Sequence, residues 1–295
     1  MNYHHIYHAG NFADILKHII LCLCLEKLCE KESPFFVIDT HAGIGKYNLF
    51  DEKSLKTGES LEGIQRLLNH KDFANYLPKN YLKILAKIND CNIEELPKKL
   101  QTYAGSPLII EDYLRPKDRA IFAELHPQTF IELRQNFAYK NQLFFEQKDG
   151  FSLLKAKLPP LEKRGLVIID PAFEKDQSKI SIDWQKIISS MNDASKRFQN
   201  GIYLIWYPII EGDEEVLENF YQQINELNFD KILRVTIDLK NKPEESKMQS
   251  CGVIVINAPW QLDEKLKVIL PEILAVLKNS DEASFKIKNF ELQNI

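Results

Sequence analysis

The feature that most constrains the fold of this chain is an alternation of short apolar runs with helix-type patterns. The runs are apolar nearly throughout rather than at every second position, which is typical of strands covered by helices on both faces. The alternation therefore predicts an α/β fold with a mostly parallel, doubly wound sheet. The predicted strands are 35–39, 120–124, 143–147, 166–170, 202–207, 232–239 and 252–257, and the helices between them are 13–31, 127–139, 151–158, 184–198 and 214–227.

One interval, residues 40–119, contains no strand-like run and shows helical patterns at 61–69, 78–88 and 93–101. Because a crossover between parallel strands normally needs one helix, we predict that residues 50–104 are an inserted helical subdomain. Residues 1–49 and 105–280 then form the main domain, and we expect 281–295 to be a peripheral tail. Residues 53–101 hold nine Lys and Arg against six Asp and Glu, which permits a surface that faces nucleic acid.

The composition of the 295 residues is that of an ordinary globular protein, with 44% hydrophobic and 27% charged residues. No run approaches the roughly 18–20 apolar residues that cross a bilayer, and the start lacks a secretory pattern. We therefore expect a cytoplasmic protein without membrane association. The five cysteines form no CxxC pair. His4 and His8 would share a face only in a helix, which we expect to begin later, after Gly10 and the cap-like Asn11. No metal site is expected.

Each of the first four predicted strands is followed by an acidic group. Asp39 leads a tight glycine loop with the sequence DTHAGIG, Glu124 ends the second strand, Asp149 and Gly150 follow the third, and Asp170 ends the fourth. Open α/β sheets bind ligands at the carboxyl ends of their strands. We therefore expect these groups to surround one ligand.

The spacing of the glycine loop and Glu124 supports the predicted insertion. In Rossmann-like folds an acidic residue about 20 positions beyond the loop accepts hydrogen bonds from ribose hydroxyls. About eighty residues intervene here, and removal of residues 50–104 restores roughly the expected distance. The third glycine of a nicotinamide-dinucleotide fingerprint is missing, since Asn48 occupies its place. A leading acidic residue is more typical of enzymes that use S-adenosylmethionine (SAM).

The chain resembles the bacterial 23S ribosomal RNA adenine-N6 methyltransferases, members of which are also described as involved in catabolism of external DNA. The resemblance extends from about residue 1 to residue 275. It rests on motifs that agree in order and spacing: HAGNFADILKH, DTHAGIGKY, AGSPLI, ELHP, DGF, LPP followed by RGLVIIDP, WYPI and VIVINAPW.

The resemblance implies a Rossmann-like class I SAM-dependent methyltransferase with a small helical insertion after the first strand. It implies SAM as cofactor and 23S ribosomal RNA as partner. We expect the protein to act as a monomer on a protein-poor assembly precursor. The cofactor contacts that it implies are Lys17, His18, His41, Ser106, Glu124, Asp149, Gly150 and Asp170. From the glycine loop we add Gly43 to the expected cofactor contacts. Asp170 is implied as the catalytic proton acceptor, and Tyr3, Pro171 and Phe173 as substrate-binding residues.

The chain departs from the family at Asp170–Phe173, which reads Asp-Pro-Ala-Phe where the family has Asp-Pro-Pro-Tyr. Asp170 and the carbonyl of Pro171 retain both acceptors that the N–H groups of an adenine amine require. Phe173 retains an aromatic face for stacking on a flipped base. Ala172 removes a ring that would stiffen the loop. We therefore expect the same class of reaction.

Three alternatives to this reading remain open. One is a nucleic-acid-binding protein on a methyltransferase scaffold, with a role in DNA uptake or catabolism. A second is a DNA adenine methyltransferase. A nicotinamide-dependent oxidoreductase is disfavoured by the missing glycine and leaves the Asp-Pro pair at the fourth strand without a role.

Overall fold

The computed structural model describes residues 5–175, 180–227, 229–240 and 248–291. Its main element is an eight-stranded sheet with the order β10-β8-β9-β7-β6-β1-β4-β5. The strands of this sheet are β1 Phe36–Asp39, β4 Arg119–Ala123, β5 Leu143–Glu146, β6 Gly165–Ile169, β7 Ile202–Ile209, β8 Lys231–Asp238, β9 Ser250–Ile256 and β10 Ser284–Glu291. All seven predicted strands are present within a few residues of their predicted bounds.

The strands β5, β4, β1, β6 and β7 are parallel to one another, and β9 is antiparallel to both β7 and β8. This is the mostly parallel Rossmann-like sheet that the sequence predicted. Residues 281–295 were expected to form a peripheral tail. This expectation is corrected, because β10 lies within that range and extends the sheet by pairing antiparallel with β8. A second, two-stranded sheet joins β2 Lys46–Asn48 to β3 Thr102–Ala104. No strand was predicted in that interval.

The helices lie on both faces of the main sheet. Val37, Phe122 and Ile168 belong to one buried cluster, while their neighbours in sequence belong to a second cluster on the opposite face. Apolar residues thus cover both faces, as a doubly wound sheet requires. The helices are α1 Phe12–Cys29, α2 Glu52–Thr57, α3 Arg66–Leu68, α4 Phe73–Tyr76, α5 Lys79–Ile88, α6 Leu96–Lys99, α7 Ser106–Tyr113, α8 Pro127–Gln135, α9 Gly150–Lys157, α10 Asp183–Arg197, α11 Glu214–Asn225 and α12 Leu262–Leu277. The helices α2, α4, α7 and α12 were not predicted.

The segment between β2 and β3 is mainly helical, with α2 to α6, a π-helix at Leu61–Gln65 and a short 3₁₀ helix at Ile93–Glu95. The two short strands bring its ends together beside the glycine loop. Its core packs against α1, since Ile64, Leu67 and Leu85 share a buried cluster with residues of that helix. Within the described parts of the chain, no helix combines the length and apolar character needed to span a membrane.

The helix α1 begins where the sequence predicted. The side chain of Asn11 accepts a hydrogen bond from the backbone N–H of Asp14, which caps the helix. The order of strands reverses at β1, so that β4 and β5 lie on one side and β6 and β7 on the other. A crevice forms at such a reversal, beyond the carboxyl ends of the strands.

Candidate active site

A cavity opens at the carboxyl ends of β1, β4 and β6. Its walls come from the N-terminal segment, α1, the glycine loop and the starts of α7 and α9. The structure therefore brings together groups that are far apart in the sequence. The predicted site residues that line it are Lys17, His18, His41, Gly43, Ser106, Glu124, Asp149, Gly150, Asp170 and Pro171.

The glycine loop after β1 is held by Glu124. Gly43 has a φ of +60°, and a Cβ there would lie 2.2 Å from the hydroxyl of Tyr47. The Gly43 N–H donates to Glu124 Oε2 at 3.1 Å, and the His126 N–H donates to Oε1 at 2.8 Å. Burial raises the pKa of Glu124, although these two N–H groups oppose the shift. A carboxylate therefore stands at the wall of the cavity, as expected for a ribose site.

A second close approach lies at the start of α9. A Cβ at Gly150 would lie 2.0 Å from the carbonyl oxygen of Thr40, so only glycine lets this helix begin against the loop after β1. Asp149 caps the helix, since its Oδ1 accepts the Ser152 N–H at 2.8 Å. His41 lies against Phe151 with ring centroids 5.2 Å apart. Burial lowers the pKa of His41, which favours its neutral form.

Asp39 lies directly behind the cavity wall and is completely buried. Ser106 Oγ donates to Asp39 Oδ2 at 2.7 Å, and the His41 N–H lies 3.3 Å from Oδ1. Burial raises the pKa of Asp39 to about 7, and the charge of nearby Asp170 contributes, while the Ser106 hydrogen bond opposes the shift. The site thus contains a carboxyl group whose protonation changes near neutral pH.

Lys17 and Asp170 form an ion pair that ties α1 to the end of β6. Lys17 Nζ lies 2.5 Å from Asp170 Oδ2 and 2.8 Å from Asp14 Oδ1. Burial disfavours the charged ammonium, but the carboxylates of Asp14 and Asp170 outweigh this effect and raise the pKa of Lys17 well above its ordinary value. Lys17 was predicted to contact the cofactor, and the structure places its ammonium on the predicted catalytic carboxylate.

His18 faces the cavity from the same turn of α1 and is linked to the inserted segment. Its Nδ1 lies 2.9 Å from the Tyr103 hydroxyl, which lies 3.0 Å from the Tyr81 hydroxyl. Burial lowers the pKa of His18 to about 3, so the ring is neutral at physiological pH. A neutral ring of this kind offers the cavity a hydrogen-bonding group without a charge.

The structure differs from the prediction at Phe173. Its ring does not line the cavity but is buried against Trp184 at 4.6 Å and Trp206 at 5.9 Å between ring centroids. The backbone turns the side chain inward with a φ of +51°, an uncommon value for a bulky residue. The cavity is lined instead by Pro171 and Ala172 from this loop. The predicted substrate contact of Tyr3 lies outside the described residues.

Several cavity residues were not predicted. His5, Lys53, Asp183 and Lys186 line the cavity. His5 lies just before the HAGNFADILKH motif, which contains Lys17. This short distance in the sequence indicates that His5 lies near the site. The positions of Lys53 and Lys186 depend on α2 and α10, and the sequence carries no local pattern that marks them. Among the described residues, no group of three or more His, Cys, Asp or Glu side chains is arranged to hold a metal ion.

Comparisons with known proteins identify the family. Residues 32–288 match the family described as "Ribosomal RNA large subunit methyltransferase D, RlmJ". The ribosomal RNA large subunit methyltransferase J of Haemophilus influenzae is 38% identical over 288 residues, covering 98% of each chain. The enzyme of the same name from Escherichia coli is 37% identical over 271 residues, covering 92% of each chain. The chain belongs to the RlmJ family.

A solved structure supports the same relationship. A protein of Legionella pneumophila superposes with a TM-score of 0.81 at 31% identity, covering 95% of this chain and 98% of that one. The resemblance inferred from the sequence motifs is therefore confirmed, as is the Rossmann-like class I methyltransferase fold. As a member of the RlmJ family, the protein is a methyltransferase.

Membership of a methyltransferase family implies SAM as the methyl donor, and the donor set of the cavity fits that molecule. Glu124 provides a carboxylate at the end of the second parallel strand, where ribose hydroxyls bind in such folds. Gly43 and Gly150 line the cavity, and a Cβ at either position would meet neighbouring protein atoms, so backbone rather than side chains forms the wall there. Asp149 lies at the end of the third strand, next to the first N–H groups of α9.

Proposed function

We propose that this protein transfers the methyl group of SAM to the N6 amine of an adenine in 23S ribosomal RNA. One observation carries the proposal. Asp170 lies at the carboxyl end of β6, is fixed by Lys17, and faces the same cavity as Glu124 and Asp149. That a carboxylate able to accept hydrogen bonds lines the same cavity as the groups proposed for the cofactor supports the proposal. The family membership supports RNA as the substrate.

In the proposed cofactor site, Glu124 would accept hydrogen bonds from the ribose hydroxyls, and Asp149 would accept one from the adenine amine of SAM. His41, Ser106 and His18 line the same cavity as these groups and Asp170. SAM, when bound, supplies a methyl group on a sulfonium that is a good leaving group. The residues of this chain therefore need only orient the acceptor amine and receive its proton.

The amine of adenine is a weak nucleophile because its lone pair is delocalised into the ring. Asp170 accepts one N–H of that amine, and the backbone carbonyl of Pro171 accepts the other. These two contacts direct the lone pair away from the ring and towards the methyl group. As the new N–C bond forms, the amine loses a proton, and Asp170 receives it. Lys17 holds the carboxylate in place during this step.

The target base must reach a cavity behind the protein surface, so we propose that it is lifted out of the RNA stack. Phe173 does not provide the stacking surface in the described conformation, because its ring packs against Trp184. Tyr3 stays a proposed substrate contact. Lys53 and Lys186 line the cavity, and their charges suit RNA phosphates beside the target. We further infer that the protein acts as a cytoplasmic monomer on a protein-poor precursor of the large subunit.

The test is methyl transfer from labelled SAM to unmodified 23S ribosomal RNA, followed by nucleoside analysis. The native protein should form N6-methyladenosine, and Asp170→Ala should lose activity by about 10²–10⁴-fold while binding SAM. Asp193→Ala, an exposed change on α10, serves as the control and should retain the native rate. N6-methyladenosine formation by Asp170→Ala at the native rate would reject the proposal.

The same assay separates the alternatives. SAM binding by the native protein without transfer to RNA would favour a nucleic-acid-binding role on this scaffold. Transfer to duplex DNA in preference to RNA would favour a DNA adenine methyltransferase. Neither alternative is supported by a specific contact in the cavity.

A further inference from the structure

Asp14 is a buried carboxylate behind the proposed active site. It lies in the first turn of α1 with only 2% of its surface exposed. Its Oδ2 accepts the Gly10 N–H at 3.0 Å and lies 3.0 Å from His5 Nε2, while its Oδ1 accepts Lys17 Nζ at 2.8 Å. Its Oδ1 also lies 4.0 Å from His18 Nε2. Asp14 does not line the cavity, so any effect on the reaction must pass through these partners.

Lys17 is the partner that reaches the reaction centre. Its side chain is 5% exposed, and its ammonium bridges Asp14 and Asp170. A lysine stem has several rotatable bonds, and a single charged contact would leave the ammonium free to turn. Contacts with two carboxylates fix it in one place. Asp14 therefore determines where the positive charge stands relative to Asp170.

Asp14 also fixes the segment that precedes α1. The Gly10 N–H donates to Asp14, and the Gly10 carbonyl accepts the Ile64 N–H of the inserted segment at 2.8 Å. His5, the other partner of Asp14, lines the cavity and lies near Tyr47 with ring centroids 5.1 Å apart. One carboxylate thus joins a wall of the cavity to the Lys17–Asp170 pair.

We propose that Asp14 is a positioning residue for methyl transfer, which orients Asp170 through Lys17 and holds His5 at the cavity wall. This inference rests on the proposed function. It explains why a carboxylate without access to the cavity is buried in the first turn of a helix beside a lysine. A purely structural carboxylate would not be expected to share its cation with a second carboxylate at the end of a strand.

The proposal predicts a change in the dependence of the reaction on pH. Burial alone lowers the pKa of a lysine, and two carboxylates outweigh that effect at Lys17. With one of them removed, the pKa of Lys17 must fall. The activity of an Asp14→Asn variant should therefore begin to decline at a lower pH than the activity of the native enzyme. The other titratable groups near Lys17 are the same in both proteins: Asp170, Asp39, His5, His18, Tyr47 and Cys251.

The experiment compares Asp14→Asn with the native enzyme in single-turnover methyl transfer to unmodified 23S ribosomal RNA. The rate should fall on the order of 10- to 100-fold, as expected for a misplaced reacting group, with a smaller change in SAM affinity. Asp118→Asn is the matched control. It removes the same charge from another buried carboxylate, which pairs with Arg115, and should keep the native rate and pH profile per folded molecule.

A double variant tests whether Asp14 acts through Lys17. Lys17→Gln should lower the rate, and the double variant with Asp14→Asn should lose less than the product of the two single effects, because both changes disrupt the Lys17–Asp170 pair. Any loss beyond that of Lys17→Gln reports on His5. Multiplicative effects, a native pH profile or a native rate in Asp14→Asn would each overturn the inference. If Asp14→Asn does not fold, Asp14→Glu takes its place, because that variant keeps the charge but displaces it. A lower rate of methyl transfer in Asp14→Glu supports the inference, and a native rate overturns it. An inactive native enzyme would instead refute the proposed function, and this inference with it.

Discussion

The two edges of the central sheet both carry buried carboxylates, but they are paired differently. At the amino edge, Asp118 accepts four hydrogen bonds, three from Arg115 and one from the Phe35 N–H. Glu162 is paired with Arg119 through both oxygens. At the carboxyl edge, Asp170 receives Lys17 on one oxygen only among the described contacts. Its other oxygen is left for the cavity.

The difference shows which carboxylates serve the fold and which serve the reaction. Guanidinium groups and backbone N–H groups saturate the acceptors at the amino edge, as expected where a buried charge must be compensated. At the carboxyl edge, burial raises the pKa of Asp39 and of Glu124, so their charged forms are not fully compensated. The fold retains these incompletely compensated carboxylates because perturbed pKa values are common at functional sites, where some stability is given up for activity.

The largest expected effect comes from making the same change at each edge. Asp170→Asn should lower the rate of methyl transfer by about 10²–10⁴-fold with little change in stability, because Lys17 keeps Asp14 as its partner. Asp118→Asn should lower the free energy of unfolding by roughly 1–3 kcal/mol with little change in the rate. Denaturant unfolding and single-turnover kinetics measure the two quantities. If Asp170→Asn and Asp118→Asn both lower the rate, or both lower the free energy of unfolding, the carboxylates at the two edges do not differ in role.

A smaller effect concerns the dependence of stability on pH. The folded protein holds a proton on Asp39 up to a pH of about 7, whereas the unfolded chain releases it near its ordinary pKa of 3.8. The Asp39 contribution to stability therefore decreases as the pH rises through that window. Asp39→Asn does not titrate, so its stability relative to the native protein should increase between pH 4 and pH 7 by roughly 1–4 kcal/mol.

The difference in unfolding free energy between Asp39→Asn and the native protein should be measured by urea unfolding at several pH values without SAM. It should level off above pH 7, where Asp39 is ionised in both states. A difference that is independent of pH would show that Asp39 is compensated as fully as Asp118, and would remove it from the contrast between the two edges.

The smallest expected effect is on cofactor binding. Glu124→Gln keeps the shape of the side chain but removes its charge, and it weakens acceptance from the proposed ribose hydroxyls. SAM affinity should fall about tenfold, in line with a loss of about 1.4 kcal/mol. Titration calorimetry measures it, with Glu162→Gln at the opposite edge as the control. Equal SAM affinity in Glu124→Gln and the native protein would argue against a ribose contact.

The sequence predicted the carboxyl edge better than the periphery of the fold. Continuous apolar runs mark buried strands, which is why all seven predicted strands are found. The strand β10 was missed because its sequence, SFKIKNFE, alternates and carries charges, as edge strands often do. The strands β2 and β3 have three residues each, too few to show any period. Acidic residues at strand ends were recognisable because topology alone places them together.

Other parts of the site depend on the directions of side chains, which the pattern of residue types along the sequence does not determine. The inward ring of Phe173 follows from a positive φ and from the space beside Trp184. The role of Asp14 follows from a spacing of three residues to Lys17 on one helix face, which was visible in the sequence. The link from Lys17 to Asp170 was not, since 153 positions separate them.

The central claim is that this protein methylates an adenine of 23S ribosomal RNA at N6, and the modification in cells tests it most directly. Nucleoside mass spectrometry of 23S ribosomal RNA should be compared between cells with and without the gene. One N6-methyladenosine should disappear without the gene, and the native gene should restore it while the Asp170→Ala gene should not. An unchanged N6-methyladenosine content in cells without the gene would show that this protein does not make the modification.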